Sequence, residues 1–192
     1  MKKTLYLMRH GQTLFNVRKK IQGFCDAPLT ELGIYQAQVA GDYFKKNGIT
    51  FGAAYSSTSE RACDTLELIT DMPYTRLKGL KEWNFGTFEG ESEDLNPPLP
   101  YGDFFAGFGG EREMDFRARL VETMESIMSQ EDHDAVLAVS HGAACAQFAR
   151  HWEANSKTGP IKGLKNCCIL KFEYENGHFT LVDFMNHDFA KV

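Results

Sequence analysis

Three times along this chain a short apolar run stops abruptly in a loop of charged, hydroxyl-bearing or imidazole side chains, with a segment of helical spacing further on. Thr4 to Met8 runs into Arg9-His10-Gly11-Gln12-Thr13, Phe51 to Tyr55 into Ser56-Ser57, and Ala135 to Val139 into Ser140-His141-Gly142. Short apolar runs without polar alternation read as strands buried on both faces, and such strands belong to parallel sheets whose crossovers are helices. The expected fold class is therefore α/β: a three-layer α/β/α sandwich, with a mostly parallel central sheet and helices on both faces.

The remaining elements fit that frame. Thr30 is placed to cap a helix over 31–47, with Gly48 where it would stop. Ser57 or Thr58 would cap a helix from Ser59 to Ile69, and Pro73 to Leu77 reads as a third strand. Glu111 to Gln130 is a long amphipathic helix, and another follows His141 to about Trp152. Cys167 to Tyr174 and His178 to Phe184 flank Glu175-Asn176-Gly177, and Asn-Gly favours a tight hairpin turn. Between about 91 and 110, the stretch Asn96-Pro97-Pro98-Leu99-Pro100 and four glycines preclude a long regular element. That stretch reads as a short lid-like insertion within a single domain spanning 1–192, with Phe104, Phe105 and Phe108 as ordinary core rather than a pocket wall.

Bulk properties exclude several classes. With 21 Lys+Arg against 26 Asp+Glu and no long basic run, neither a nucleic acid nor an anionic membrane is an expected partner. The first residues return to charge at Arg9, too soon for a signal-peptide core or a spanning helix, so a cytoplasmic location is expected. Five cysteines with no CxxC pair encourage neither a disulfide framework nor a zinc site, and are read as free, mostly buried thiols. Cys167 and Cys168 would point to opposite faces of a strand.

Chemistry in such sheets collects in loops beyond the carboxyl ends of strands. Arg9-His10, Ser56-Ser57 with Arg61, and His141 all fall there. Individually, Arg61 could be a solvated helix residue and His141 a capping or core histidine. As a set they suit phosphate: guanidiniums offer forked donors to its oxygens, and imidazoles offer one nucleophile and one further donor.

Leu7-Met8-Arg9-His10-Gly11-Gln12-Thr13, with Asn16 beyond, resembles the RHG signature of the histidine phosphatase superfamily, the branch that includes cofactor-dependent phosphoglycerate mutases. Further blocks match in order: Gln22-Gly23 through Asp26, Pro28-Leu29-Thr30 and Gly33; Ser56-Ser57, Arg61-Ala62 and Thr65; Leu80, Glu82, Phe85-Gly86 and Glu89-Gly90; and Val139-Ser140-His141-Gly142. The resemblance implies a phosphoglycerate mutase-like fold and a phosphomonoesterase of the histidine acid phosphatase type, acting on a small phosphorylated substrate without metal or other cofactor. It implies His10 as the nucleophile, Arg9, Arg61 and His141 on the equatorial oxygens, and Glu82 as proton donor to the leaving oxygen. Asn16, Gln22, Gly23 and Gly142 are further substrate-binding candidates. His133, His151, His178 and His187 match no block and are read as surface or core. Arg18-Lys19-Lys20 reads as solvated, near enough to steer anions.

The family divides between transfer to water and return of the phosphoryl group to a sugar acid. A mutase must shield phosphohistidine from water, which goes with larger insertions than 91–110 and usually with Ser where this chain has Thr13, so hydrolysis is expected over mutase activity. A catalytically dead relative that binds phosphorylated ligands is disfavoured, because His10, Arg61, Glu82 and His141 are all present.

Overall fold

The computed structural model describes residues 2–187. Strand β1 is Lys3–Arg9 and is followed by a one-turn helix α1, Leu14–Val17, and by α2, Glu31–Lys46. Then come β2 (Ala53–Ser57), α3 (Glu60–Ile69), β3 (Thr75–Leu77), α4 (Glu113–Gln130), β4 (Ala135–Ser140), α5 (Gly142–His151), β5 (Ile169–Glu175) and β6 (His178–Met185). The six strands form one sheet in the order β3-β2-β4-β1-β5-β6. β3, β2, β4 and β1 pair in parallel, while β5 and β6 add an antiparallel hairpin beyond β1. The sheet is thus mostly parallel, as the apolar runs require.

The side-chain period of the strands explains the layers. Leu5, Leu7, Val136 and Ala138 pack with Met124 and Phe148 of α4 and α5. Tyr6, Met8, Leu137 and Val139 face the other way, onto Ala37 and Phe44 of α2 and Leu66 of α3. Successive residues of β1 and β4 therefore feed opposite cores, which only a strand covered on both faces can do. A third apolar cluster joins Trp83, Phe85, Phe105, Phe116 and Leu120 beneath the 91–110 excursion.

Several expectations shift. β2 begins two residues later than Phe51, because pairing with β4 starts at Ala53 opposite Val136. This carries Ser56 and Ser57 into the strand, and α3 takes Ser59 as its N-cap without a side-chain capping bond. The long helix starts at Glu113, since the carboxylate of Glu111 instead accepts from Asn84 N–H and Arg119. α1 is a short turn that Thr13 and Asn16 close reciprocally as a capping box. Of the three phenylalanines read as core, Phe105 is buried, but Phe104 and Phe108 are 39% and 43% exposed. Both meet the Phe88 ring edge to face. Cys167 and Cys168 precede β5 rather than lying in it, and fall in the two opposite cores. All five cysteines are free, and four are buried. Among the described residues no helix is long and apolar enough to cross a membrane.

Candidate active site

Arg9 is the last residue of β1, Ser57 the last of β2 and Ser140 the last of β4, so His10, His141 and Arg61, the last in the first turn of α3, lie beyond the same end of the sheet. A hollow of about 300 Å³ opens there. Arg9, His10, Asn16, Gln22, Arg61 and Glu82 line its inner part, with Gly142 and Ala143 from the start of α5. The carriers of the expected chemistry, distant in the chain, thus converge.

His10 is 4% exposed, and its Nδ1 lies 2.7 Å from the carbonyl of Gly11. A carbonyl only accepts, so Nδ1 carries the proton and Nε2 keeps its lone pair. Arg61 Nε–H approaches that lone pair at 3.4 Å. Burial, then the positive charges of Arg61 and Arg9, hold the imidazole's pKa well below its ordinary value, so the ring is neutral. Asn166 donates to the carbonyl of His10 and to Oδ1 of Asn16, fixing both from behind. Asn16 Oδ1 also accepts from Thr13 N–H, so its amide nitrogen is the end left for the hollow.

Arg61 departs from the expected forked grip on phosphate. Its two terminal nitrogens donate to the carbonyls of Gln22, Gly23 and Cys25 and to the carboxylate of Asp26. With Nε–H on His10, all five donors are committed to the protein. The fork therefore holds the Gln22–Asp26 loop, and Nε–H is the donor that faces His10. Gly23 is placed by this role: it lies behind Arg61, not on the hollow's wall, and a Cβ there would come within 2.4 Å of Glu89 Oε1 and the carbonyl of Trp83. Glu89 closes the same loop from the other side, accepting from the N–H groups of Phe24, Cys25 and Phe85.

Among the described residues, three buried donors around His10 have no acceptor. Arg9 gives one terminal nitrogen to the carbonyl of Leu164, while its Nε is unpartnered. Gln22 accepts from the Thr13 hydroxyl through Oε1, leaving Nε2 unpartnered. The His141 ring, wholly buried and not itself on the wall, stands 5.3 Å from that of His10. Its Nε2 lies 2.8 Å from Ser57 Oγ, and its Nδ1 is unpartnered. Ser57 Oγ already accepts from Ser59 N–H, and among the described residues its own hydrogen finds an acceptor only in His141 Nε2. That arrangement puts the imidazole proton on Nδ1. Burial, then Arg61, lowers the pKa of His141 too, so it is a neutral donor. A Cβ on Gly142 would press on Arg9 Nε at 3.3 Å, so the small residue leaves that guanidinium room.

Glu82 sits in the loop after β3 and is 8% exposed. Its carboxylate accepts from the N–H groups of Trp83, Ala143 and Ala144, the last two at the N-terminus of α5. These bonds favour the charged form, as do Arg61 and Arg9, but burial outweighs them and raises its pKa above the ordinary carboxylate value. Glu82 is thereby oriented and biased toward holding a proton.

The outer part of the hollow was not anticipated. Lys20, Glu93, Asn96, Tyr101 and Leu164 line it with Phe85. Lys20 is therefore a wall residue, while Arg18 and Lys19 stay exposed as expected. The excursion is tied down at its start: Gly90 and Glu93 N–H groups donate to the carbonyls of Ile21 and Lys19, and Ile21 N–H donates to Glu91. Among the described residues no group of His, Cys, Asp and Glu is placed to hold a metal.

The sequence pattern of the histidine phosphatase superfamily (branch 1) matches residues 5–187. A 2,3-bisphosphoglycerate-dependent phosphoglycerate mutase of Beijerinckia indica is 39% identical over 100 residues, 49% of this chain and 48% of that relative. The aligned region thus spans about half the length of that relative. A phosphoglycerate mutase structure from Bacillus anthracis superposes with a TM-score of 0.83 at 26% identity, covering 94% of this chain and 92% of the other. A phosphoserine phosphatase from Entamoeba histolytica, solved with 3-phosphoglyceric acid, superposes with a TM-score of 0.75 at 29% identity, covering 96% and 98%.

Proposed function

The chain belongs to the histidine phosphatase superfamily, branch 1, and on that premise we propose that it hydrolyses a phosphomonoester through a phosphohistidine on His10. The observation that carries this reading is the ring of buried, acceptor-less donors (Arg9 Nε, Gln22 Nε2 and His141 Nδ1) around a neutral imidazole whose Nε2 lone pair is free to attack. A buried donor without a partner costs about 1–3 kcal/mol. Three at one spot fit an anion whose oxygens take all of them.

In the first step His10 Nε2 attacks phosphorus in line, and the P–O bond to the leaving group breaks. Glu82 gives its proton to that oxygen, which departs as an alcohol. Arg9, Gln22, His141 and the Asn16 amide take the equatorial oxygens, while Arg61 Nε–H turns from the nucleophile's lone pair toward the transferred group. No donor need reorganise far, which is the condition for electrostatic stabilisation of the transition state. In the second step the Glu82 carboxylate takes a proton from water, the hydroxide attacks phosphorus, and the P–N bond breaks to release inorganic phosphate and regenerate neutral His10.

Hydrolysis is favoured over return of the phosphoryl group because the excursion at the mouth is short and its Glu93 remains exposed, so water has a route to phosphohistidine. The mutase reading draws on the name of the Beijerinckia relative. The two are separated by incubating the protein with 3-phosphoglycerate, with and without 2,3-bisphosphoglycerate, and with an aryl phosphate. Phosphate release is the expected outcome; isomerisation without release would replace hydrolysis by transfer.

A further inference from the structure

We propose that Arg119, paired with Glu111, is the positioning residue for Glu82: its guanidinium grips the backbone that carries the carboxyl and so aims it into the hollow. This rests on Glu82 as the proton donor, and concerns what holds that group in place.

Beyond the single turn Lys78–Leu80, the chain up to Asn84 is irregular. Such a segment has no helix or ladder to satisfy its carbonyls, so side chains must. Arg119, on α4, supplies most of the donors. Its Nη1 donates to the carbonyls of Gly79 and Lys81 at 2.9 and 3.0 Å, and its Nη2 to that of Glu82 itself at 3.1 Å. Ser140 Oγ–H takes the carbonyl between the first two, that of Leu80, at 2.8 Å. Every carbonyl from Gly79 to Glu82 is thus held by a side chain of α4 or β4. The remaining donors of Arg119, Nε–H and the second hydrogen of Nη2, go to the two carboxylate oxygens of Glu111, each at 2.8 Å. Glu111 also accepts from Asn84 N–H through its carboxylate and from Trp83 Nε1–H through its backbone carbonyl. The pair therefore clamps the chain on both sides of Glu82.

All five donors of this guanidinium are committed, as are those of Arg61. One fork sets the loop beside His10, and the other sets the loop that carries the acid. Phe24 joins the two: it belongs to the Arg61-held loop, and its ring lies 4.4 Å from Lys81 Nζ and 5.9 Å from the Arg119 guanidinium. Arg119 does not line the hollow, so it reaches the chemistry through Glu82. The Glu82 carboxylate meets the N–H groups of Ala143 and Ala144 at 2.9 and 3.0 Å, a fit that a small backbone shift would break. Misplacing a catalytic group by about 1 Å can cost about 10²-fold in rate. Lysine would keep the charge of Arg119, but a single ammonium cannot span three carbonyls and both oxygens of Glu111.

The test is Arg119→Lys, with kcat and KM for phosphate release measured on 3-phosphoglycerate and on nitrophenyl phosphate, whose leaving group hardly needs a proton. On 3-phosphoglycerate kcat should fall about 10–100-fold, while KM on both substrates and kcat on the nitrophenyl ester stay within about threefold of wild type. In a Glu82→Gln background the same substitution should cost less than about twofold, because no proton is left to aim. A guanidinium that only stabilised the fold would lower both activities together. An unchanged alkyl-to-aryl ratio, or the full loss repeated beside Glu82→Gln, overturns the assignment. Should Arg119→Lys not fold, Glu111→Gln weakens the clamp on Trp83 and Asn84 and keeps the three carbonyl bonds. It should lower the same ratio about threefold, and an unmoved ratio overturns the assignment equally. Amide hydrogen exchange separates this inference from the reading beneath it. Arg119→Lys, or Glu111→Gln in its place, should speed exchange at Ala143 and Ala144, whose N–H groups the Glu82 carboxylate holds, and not at Phe148 further along α5. If Glu82→Gln spares the ratio, Glu82 is not the proton donor, and unchanged exchange at those two amides is then what overturns its positioning by Arg119.

Discussion

At the floor of the hollow His10, Arg61, Glu82 and His141 are each less than a tenth exposed, and every one is tied to the protein by at least one side-chain hydrogen bond. At its mouth Lys20, Glu93 and Tyr101 make no side-chain hydrogen bond to the other described residues and lie outside the helices and strands of the sheet. The floor is preorganised, so the reaction need not rearrange it, which is what catalysis by fixed dipoles demands. The mouth is held by backbone ties but leaves its polar tips open, which is what recognition of an incoming group demands. Substitutions at the floor should therefore act on turnover, and substitutions at the mouth on substrate choice.

The sharpest way to break that division is His10→Ala. Loss of a covalent nucleophile should lower kcat/KM by at least about 10⁴-fold on every phosphoester, independent of leaving group. Quenching the wild-type protein during turnover should trap an acid-labile, base-stable phosphoenzyme that the variant lacks. Residual turnover within tenfold of wild type would move the nucleophile elsewhere.

Glu82→Gln comes next, with an expected loss of about 10²–10⁴-fold on alkyl phosphates and little on an aryl phosphate, whose leaving group hardly needs a proton. The pH profile carries the sign. Catalysis needs His10 deprotonated, and its pKa lies well below 6.5, so the acid limb should fall only below that value. It also needs Glu82 protonated, and burial raises its pKa above 4.5, so the alkaline limb begins above that value. Glu82→Gln should abolish the alkaline limb and keep the acid one. Equal losses on both substrate types would remove Glu82 from proton transfer.

How far the residues alone carried the reading differs between these two regions. The floor was legible because its groups are tied to strand ends: Arg9, His10, Arg61 and His141 sit where apolar runs stop, and that pattern survives in one dimension. The same logic gave the parallel sheet and the closing hairpin. What stayed hidden was direction. Nothing in the order of residues reveals that the Arg61 fork grips the carbonyls of Gln22, Gly23 and Cys25, or that His141 reaches Ser57, because these depend on which side of a loop the carbonyls face. Asp26 and Glu89 stood within matched blocks but carried no visible role until the loop between them was folded. The mouth was illegible for another reason: Lys20 and Glu93 are brought together by backbone ties between loops without periodicity. Asn166 gave no signal at all.

Ser57 tests the floor more finely, because it touches no substrate. As a positioning residue it fixes the His141 tautomer, so Ser57→Ala should leave the fold intact yet lower kcat about tenfold, the scale of one hydrogen bond of about 1.4 kcal/mol. Ser57→Thr, which keeps the hydroxyl, should restore most of it. If alanine and threonine behave alike, packing rather than tautomer control explains the residue.

Tyr101 lies where the two regions meet, and the smallest expected effect decides to which it belongs. Its ring packs edge-on against Trp83 and Phe105, so Tyr101→Phe keeps the packing and should change stability by no more than about 0.5 kcal/mol. Burial raises the hydroxyl's pKa, with Glu93 at the mouth and then Glu82 at the floor adding to the rise. If the hydroxyl serves recognition, phenylalanine should raise KM about threefold, the order of a neutral hydrogen bond, and leave kcat and both pH limbs in place. If it serves proton transfer, kcat should fall and the alkaline limb should move, because a neighbour of Glu82 has been lost. The first outcome is expected: Glu82 is already held by three backbone N–H groups and needs no fourth partner to keep its orientation.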